Sequence, residues 1–453
     1  MPRNPGPNGF PIWAIFVPAA GRGDAMPSRV IIGAQWGDEG KGRVVDIYAE
    51  SADLVVRSQG GSNAGHTVFV GDKQFALHLI PTGIIRGKRS VMGNGMVVDP
   101  DYLLREIAAL EAEGITVRDN LLLSENAVLV TPYHKALERA SEAALGERKI
   151  GTTLQGIGNA YTDKYARTAI RAVDLLEPDT LEQKLRENLE MKNRLLTGVY
   201  GVEPLELAPI LEGFARAAAA IGPMVADTAV IINRALAAGE RVLFEGAQGT
   251  MLDIDFGTYP YCTSSSPVAA GACTGSGVSP KWIGKIIGVA KPYTTRVGSG
   301  PFPTEVGEDI AGPMRPIGRE FGTTTGRARR IGWLDLAVLR KAALLSAPDS
   351  WAISHLDVLD RFATIPVCTG YRCDGRILDI FPNSLQVLAK CEPVYEEWPG
   401  WQQPTNGARA WSDLPDNARR YLDRIAELTG VPVSMVLVGP RRDETLVLQE
   451  PWA

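Results

Sequence analysis

The chain has 453 residues, 45% hydrophobic and 22% charged, with a formal net charge of −5. That length is ample for a large core, and the mild acidity excludes a general nucleic-acid binder, which would carry a basic face. Five cysteines without C-x-x-C spacing point to reduced thiols, a cytoplasmic setting and no zinc site, and no run reaches the roughly 18 apolar residues of a membrane span.

Residues 1–25 stand apart. Phe10 to Ala20 is apolar and follows Arg3, a faint likeness to a secretion signal, but Pro11 and Pro18 interrupt it and Met26 precedes the first strand. They read as an extension, disordered or upstream of the true start, and the fold is assigned to 26–453. Val30-Ile31-Ile32 is a β-branched run ending at Gly33, followed by a glycine loop and a helix. Leu54–Val56 and Arg89–Val98 read as buried strands, and Tyr102–Ala112 has apolar residues at helical spacing. Leu181–Leu195 and Leu211–Ala238 read as mainly helical, Arg241–Phe244 and Ile283–Ala290 as strands, and Thr294–Arg330 as loop-rich. Asp335–Leu345 predicts a helix, and Trp351–His355, Val431–Val438 and Thr445–Leu448 predict strands. The alternation predicts an α/β fold: a single large domain with a mainly parallel central sheet, flanking helices and long active-site loops.

The loop Gly37-Asp38-Glu39-Gly40-Lys41-Gly42 has the strand–glycine–helix form of a phosphate cradle, in which backbone N–H groups and a helix N-terminus face an anion. It departs from the G-x-x-x-x-G-K-[ST] pattern, since Arg43 follows Gly42. Asp38 would repel a phosphate unless a metal neutralised it or it served another group, which suggests a site combining phosphate, Mg²⁺ and a carboxylate base. Four further segments carry chemistry. Gln59–Thr67 places Asn63 and His66 among glycines, and Phe244–Thr250 carries Glu245 and Gln248 at a strand end. Gly322–Arg330 sets three threonines beside arginines, a good match for phosphate or carboxylate. Lys149–Thr153 is a hydroxyl-rich loop, with Arg167 downstream. Of the other histidines, His78 in an apolar run reads as structural, and His134 has no supporting context.

Taken in order from Val30 to Pro451, GDEGKG, SNAGHTV, LHLIPTGI, GNGMVVDP, KIGTT, FEGAQGTMLDID, GTYPY, YTTRVGSGPFPTE, TTGRARRIGWLD, LDVLD and GPRRDET resemble the adenylosuccinate synthetase family. The resemblance implies GTP-dependent ligation of L-aspartate to IMP through 6-phosphoryl-IMP. It implies that Asp38 is the base at N1 and a Mg²⁺ ligand, with the Gly65 carbonyl as a second ligand. His66 matches the acid at O6, Lys41 the charge balance on phosphate, and Gln248 the residue orienting the purine. Asp38, Glu39, Lys41, Asn63, Ala64, Gly65, His66, Thr153, Arg167, Gln248, Thr263 and Arg327 are the implied IMP contacts, Arg167 across a homodimer interface. Thr323, Thr324, Thr325, Gly326, Arg327 and Arg329 form the implied aspartate loop. Gly37, Gly40, Lys41, Gly42, Arg43, Gly65, His66, Thr67 and Arg329 are implied around the GTP phosphates. His355, Leu356, Asp357, Leu437, Val438 and Gly439 are implied around guanine, with Asp357 accepting from N1–H and the 2-amino group. The implied partners are small molecules and a second copy of the chain, with no nucleic acid and no membrane.

The chain also departs from the family's usual pattern. His355 stands where lysine is usual and Leu437 where serine is usual, which predicts looser GTP specificity. Leu154-Gln155 replaces a Gly-Arg pair after KIGTT, and Phe256 and Ser266 are further departures. A paralogue acting on another purine nucleotide such as dGMP, another amino acid or another donor is the alternative. The retained Asp38 argues against it, since a carboxylate at N1 suits hypoxanthine and would crowd a 2-amino group. A non-catalytic nucleotide sensor is a further alternative, which the retained base and acid disfavour.

Overall fold

In the computed structural model, residues 26–70, 73–146, 151–322 and 326–453 are described. Ser28–Gly33 is buried along its whole length, as its β-branched residues require of a strand covered on both faces. It pairs in parallel with Val242–Glu245 on one side and Lys285–Ala290 on the other, so it sits mid-sheet. Leu54–Arg57, Arg89–Met92, Leu121–Ser124 and Val225–Ala226 extend the first side, each parallel to its neighbour. Ser350–Ile353 and Val433–Leu437 extend the other in parallel, and antiparallel Thr445–Val447 closes that edge. The expected α/β architecture is borne out as this ten-stranded sheet.

Three elements differ from expectation. Arg89–Val98 is two strands: Arg89–Met92 lies in the main sheet, while Val97–Val98 pairs with Val128–Leu129. The break falls at Gly93-Asn94-Gly95, where a Cβ on Gly95 would stand 2.0 Å from the Ser58 carbonyl oxygen. Leu211–Ala238 is likewise broken, into helices Leu207–Ile221 and Thr228–Ala237, by a short turn around Gly222-Pro223. Within Thr294–Arg330 lie a strand, Tyr293–Arg296, and a helix, Glu308–Gly318, whose internal Pro313 and Pro316 masked it. Tyr293–Arg296 joins a second sheet with Arg330–Asp335, Thr364–Cys373, Arg376–Leu378 and Glu392–Pro399.

Apolar layers cover both faces of the main sheet. Parallel strands send their carboxyl ends to one edge, so the loops after them gather there. These include the loops after Gly33, Arg57, Glu245, Ala290, Ile353 and Leu437. No described helix is long and apolar enough to cross a membrane.

Candidate active site

The loops at the carboxyl edge enclose a cleft of about 750 Å³. Its floor is the glycine loop, where Gly37, Asp38 and Gly40 all take positive φ before the helix Lys41–Ala49 begins. Glu39 organises this loop from within. Its Oε1 accepts from the backbone N–H groups of Gln35 and Gly37 (both 2.9 Å), and its Oε2 pairs with Lys41 Nζ at 2.5 Å. A Cβ on Gly33 would collide with that carboxylate at 2.5 Å, so the glycine is what admits it. With Glu39 occupied and fully buried, Asp38 is the loop carboxylate left facing the cleft, at φ 58°.

Asp38 Oδ2 lies 2.9 Å from Arg329 Nε, which ties the phosphate loop to the segment after residue 322. Gln248 also takes positive φ (62°); its amide donates to Thr263 Oγ1 at 2.9 Å and accepts from Ser265 Oγ at 3.2 Å, fixing the side chain on the wall. Residues held in this sparsely populated region cost about 1–3 kcal/mol each and concentrate at functional sites. Asp38, Gln248, Arg319 and His355 all meet that description on the cleft wall.

His66 Nε2 is 2.7 Å from Thr82 Oγ1 and 3.2 Å from Glu245 Oε1. Among the described residues its Nδ1 has no hydrogen-bond partner. Burial, followed by the nearby Arg57, Lys41 and His78 charges, pushes its pKa down to about 3, so the imidazole is neutral at pH 7. His355 is held down to about 3 as well, by burial and then by Lys291, with Glu320 opposing. Its Nδ1 is 2.8 Å from Ser354 Oγ, whose hydroxyl donates to the Glu39 carbonyl at 2.5 Å. Burial, then Asp360, raises Asp357 to about 6. Lys41, Arg43, Arg296, Arg319, Arg329 and Arg442 make the cleft rich in cations, as a polyphosphate ligand requires.

The adenylosuccinate synthetase family model matches residues 30–446. The chain belongs to the adenylosuccinate synthetase family. It is 51% identical over 429 residues to the adenylosuccinate synthetase of Geotalea daltonii and 52% identical over 428 residues to that of Moorella thermoacetica; each match covers 94% of this chain and 100% of the relative. The solved structure of fully ligated adenylosuccinate synthetase from Plasmodium falciparum is 36% identical with a TM-score of 0.88, covering 93% of this chain and 99% of that one. The succinoaminodeoxyadenylate synthetase of cyanophage S-2L, bound to dGMP and dATP, shares the fold at a TM-score of 0.58 and 20% identity, over 94% of this chain and 97% of that one. The protein is therefore a C–N ligase of the adenylosuccinate synthetase type, joining L-aspartate to IMP with GTP.

The cleft brings together Gly37, Asp38, Gly40, Lys41, Gly42, Arg43, Asn63, Ala64, Gly65, His66, Thr153, Gln248, Thr263, Arg329, His355, Asp357 and Gly439. Other residues singled out from the sequence lie elsewhere. Glu39 is turned into its own loop, as described above. Leu356, Leu437 and Val438 are core residues, Leu437 packing beneath the phosphate-loop helix with Val44 and Val45. Arg167 is exposed at the end of the helix Ile157–Ala166, and Gly326 and Arg327 are exposed on their loop. Lys149, Thr323, Thr324 and Thr325, and the side chain of Thr67, lie outside the described residues. His134 is fully buried; its Nε2 lies 2.9 Å from Asp163 Oδ2, and its Nδ1 accepts from the Thr131 N–H, a structural role. His78 packs edge-on against Tyr102 and backs Gly65, where a Cβ would stand 2.6 Å from its ring.

Two side chains named in the sequence reading make contacts it did not foresee. Glu245 ends a buried strand and supports His66; its carboxylate also accepts from the Thr82 N–H at 2.8 Å. Arg43 donates to the Gly439 carbonyl, tying the phosphate loop to the far wall. Among the described residues, no cluster of three or more His, Cys, Asp or Glu side chains could hold a metal. Mg²⁺ does not require one, since it keeps water and takes one or two carboxylates plus substrate phosphates. Asp38 and the backbone of Gly65 line the same cleft and supply hard oxygen donors, so the residues fit Mg²⁺.

Proposed function

We propose that the reaction runs at this cleft in two steps, with Asp38 as the base, in a homodimer working in the cytoplasm. Phosphate is a far better leaving group from C6 than oxide. Asp38 takes the N1 proton of IMP, and O6 attacks the γ-phosphorus of GTP, releasing GDP. The deprotonated aspartate amine then attacks C6, the C6–O bond breaks to release phosphate, and the proton that the amine nitrogen loses leaves on that phosphate. Neutral His66 donates a hydrogen bond at O6, and the anionic phosphate arriving there is what favours its protonated form. Lys41 balances phosphate charge, Gln248 holds the purine edge, and the loop containing Arg327 and Arg329 takes the aspartate carboxylates. Asp38 and the Gly65 carbonyl would hold Mg²⁺, which supplies charge neutralisation on the phosphates. Asp357 accepts from guanine. Arg167 is exposed at a helix end, outside the cleft of its own chain, which supports a reach into a neighbouring copy.

The observation that carries this reading is Asp38 itself: a carboxylate held at positive φ in a phosphate cradle, facing the cleft beside Arg329. IMP labelled with ¹⁸O at C6 tests it. Transfer of the label to inorganic phosphate is expected; label retained elsewhere, or lost to water without aspartate, contradicts the two-step route.

A further inference from the structure

Glu320 lies at the bottom of the structure around Arg329 and is fully buried. Its Oε1 accepts from Lys291 Nζ at 2.7 Å and from the Tyr293 hydroxyl, while its Oε2 accepts from Arg329 Nη1 at 2.8 Å. The backbone repeats the tie: Arg329 N–H donates to the Glu320 carbonyl at 2.9 Å, and Phe321 and Ala328 form an isolated antiparallel bridge. Glu320 and Arg329 are thus the two stems of the loop that carries Arg327. From Arg329 the contact continues to Asp38 at 2.9 Å. From Lys291 it continues backward: its N–H donates to Gln35 Oε1 at 3.0 Å, and the Gln35 N–H donates to Glu39 in the phosphate loop.

We propose that Glu320 is a positioning residue for the amino-acid substrate: its carboxylate clasps the stems of the 322–327 loop and aims Arg329 across the cleft at Asp38. This rests on the proposed role of that loop in binding aspartate. Burial alone would oppose the charge on Glu320, but Lys291 and Arg329 outweigh it and hold the group down to about 2. The carboxylate therefore stays ionised, and Lys291 is its buried counter-ion. Three donors converge on one carboxylate, so Arg329 has little freedom to swing. A buried ion pair is weak evidence for stability by itself, whereas a fixed guanidinium at a reacting centre has a direct kinetic use.

The test compares wild type, Glu320→Gln, Glu320→Asp and the double variant Glu320→Gln/Lys291→Met. A misaimed side chain costs on the order of a hundredfold, so kcat/KM for aspartate should fall by about that factor in both single variants. The KM for IMP should stay within about threefold, and that for GTP, whose phosphates Arg329 also faces in the proposed site, should rise less than that for aspartate. The double variant removes the unpaired buried cation and should recover the melting temperature of wild type without recovering kcat/KM for aspartate. Equal losses for all three substrates, or recovery of aspartate kinetics in the double variant, would overturn the proposal in favour of a merely structural ion pair. Should wild type show no turnover with these substrates, the ligase reading fails separately. Calorimetric titration of L-aspartate onto nucleotide-loaded wild type and Glu320→Gln then decides this one, and equal affinities overturn it.

Discussion

The sharpest pH-dependent consequence lies at Asp357. Burial first, and then the neighbouring Asp360 charge, raise its carboxyl to about 6, with Arg43 opposing. Guanine N1–H and its 2-amino group are donors, so Asp357 needs to be ionised to accept from them. The sign follows: a raised carboxyl pKa leaves the group neutral below about pH 6, and GTP binding weakens as pH falls through that value. At pH 5 about one molecule in eleven is ionised, against about ten in eleven at pH 7, so the apparent Kd for GTP should rise about tenfold. In the free protein His66 and His355, both held down to about 3, are neutral across this range, and any proton that the arriving phosphates bring to His66 is common to GTP and the ATP control. Calorimetric titration with GTP from pH 5 to 8 measures the slope directly, with ATP as a control because adenine N1 carries no proton. Asp357→Asn should bind GTP weakly at every pH, with no slope. A flat profile in wild type, or the same slope in Asp357→Asn, refutes the reasoning.

Three further outcomes follow from the same geometry. Asp38→Ala should lose on the order of 10²–10⁴ in kcat, the usual worth of a general base, and still bind GTP in equilibrium titration without Mg²⁺, where the metal-ligand role does not enter; a nucleotide sensor would show no such split. Donor choice should be relaxed, because Leu437 is buried in the core and offers the base no hydroxyl: kcat/KM for GTP should exceed that for ITP by about tenfold only, whereas strict discrimination would restore a tight guanine site. Gly95→Ala drives a Cβ to 2.0 Å from the Ser58 carbonyl, a contact between two backbones with no flexible side chain to yield. It should cost about 1–3 kcal/mol in chemical denaturation, whereas Gly198→Ala, at a helix end facing open space, should not destabilise.

Much of this site was legible because its chemistry is written locally. The β-branched run Val30–Ile32, the glycines at 37, 40 and 42, and Asp38 between them imply a strand, a tight loop and a carboxylate before any fold is known. His66 and Gln248 also sit in short glycine segments after strands. What stayed hidden depends on chain crossings. Glu320 and Lys291 are 29 residues apart, each looks solvated in its own segment, and only the fold buries them together. Glu39 and Asp38 are adjacent and chemically alike, yet one is turned inward by the Gln35 and Gly37 N–H groups and the other faces the cleft. The helix Glu308–Gly318 was masked by two prolines that tertiary packing tolerates. Leu437 shows the same limit, since sequence alignment to a pattern does not reveal that its side chain enters the core.

The central claim is that this cleft joins aspartate to IMP using GTP. Purified protein supplied with IMP, L-aspartate, Mg²⁺ and GTP, followed by the absorbance of the succinyl-purine, tests it most directly. Product that depends on all four and disappears in Asp38→Ala is the predicted result. No product from IMP with either GTP or ATP, together with product from dGMP, would contradict it.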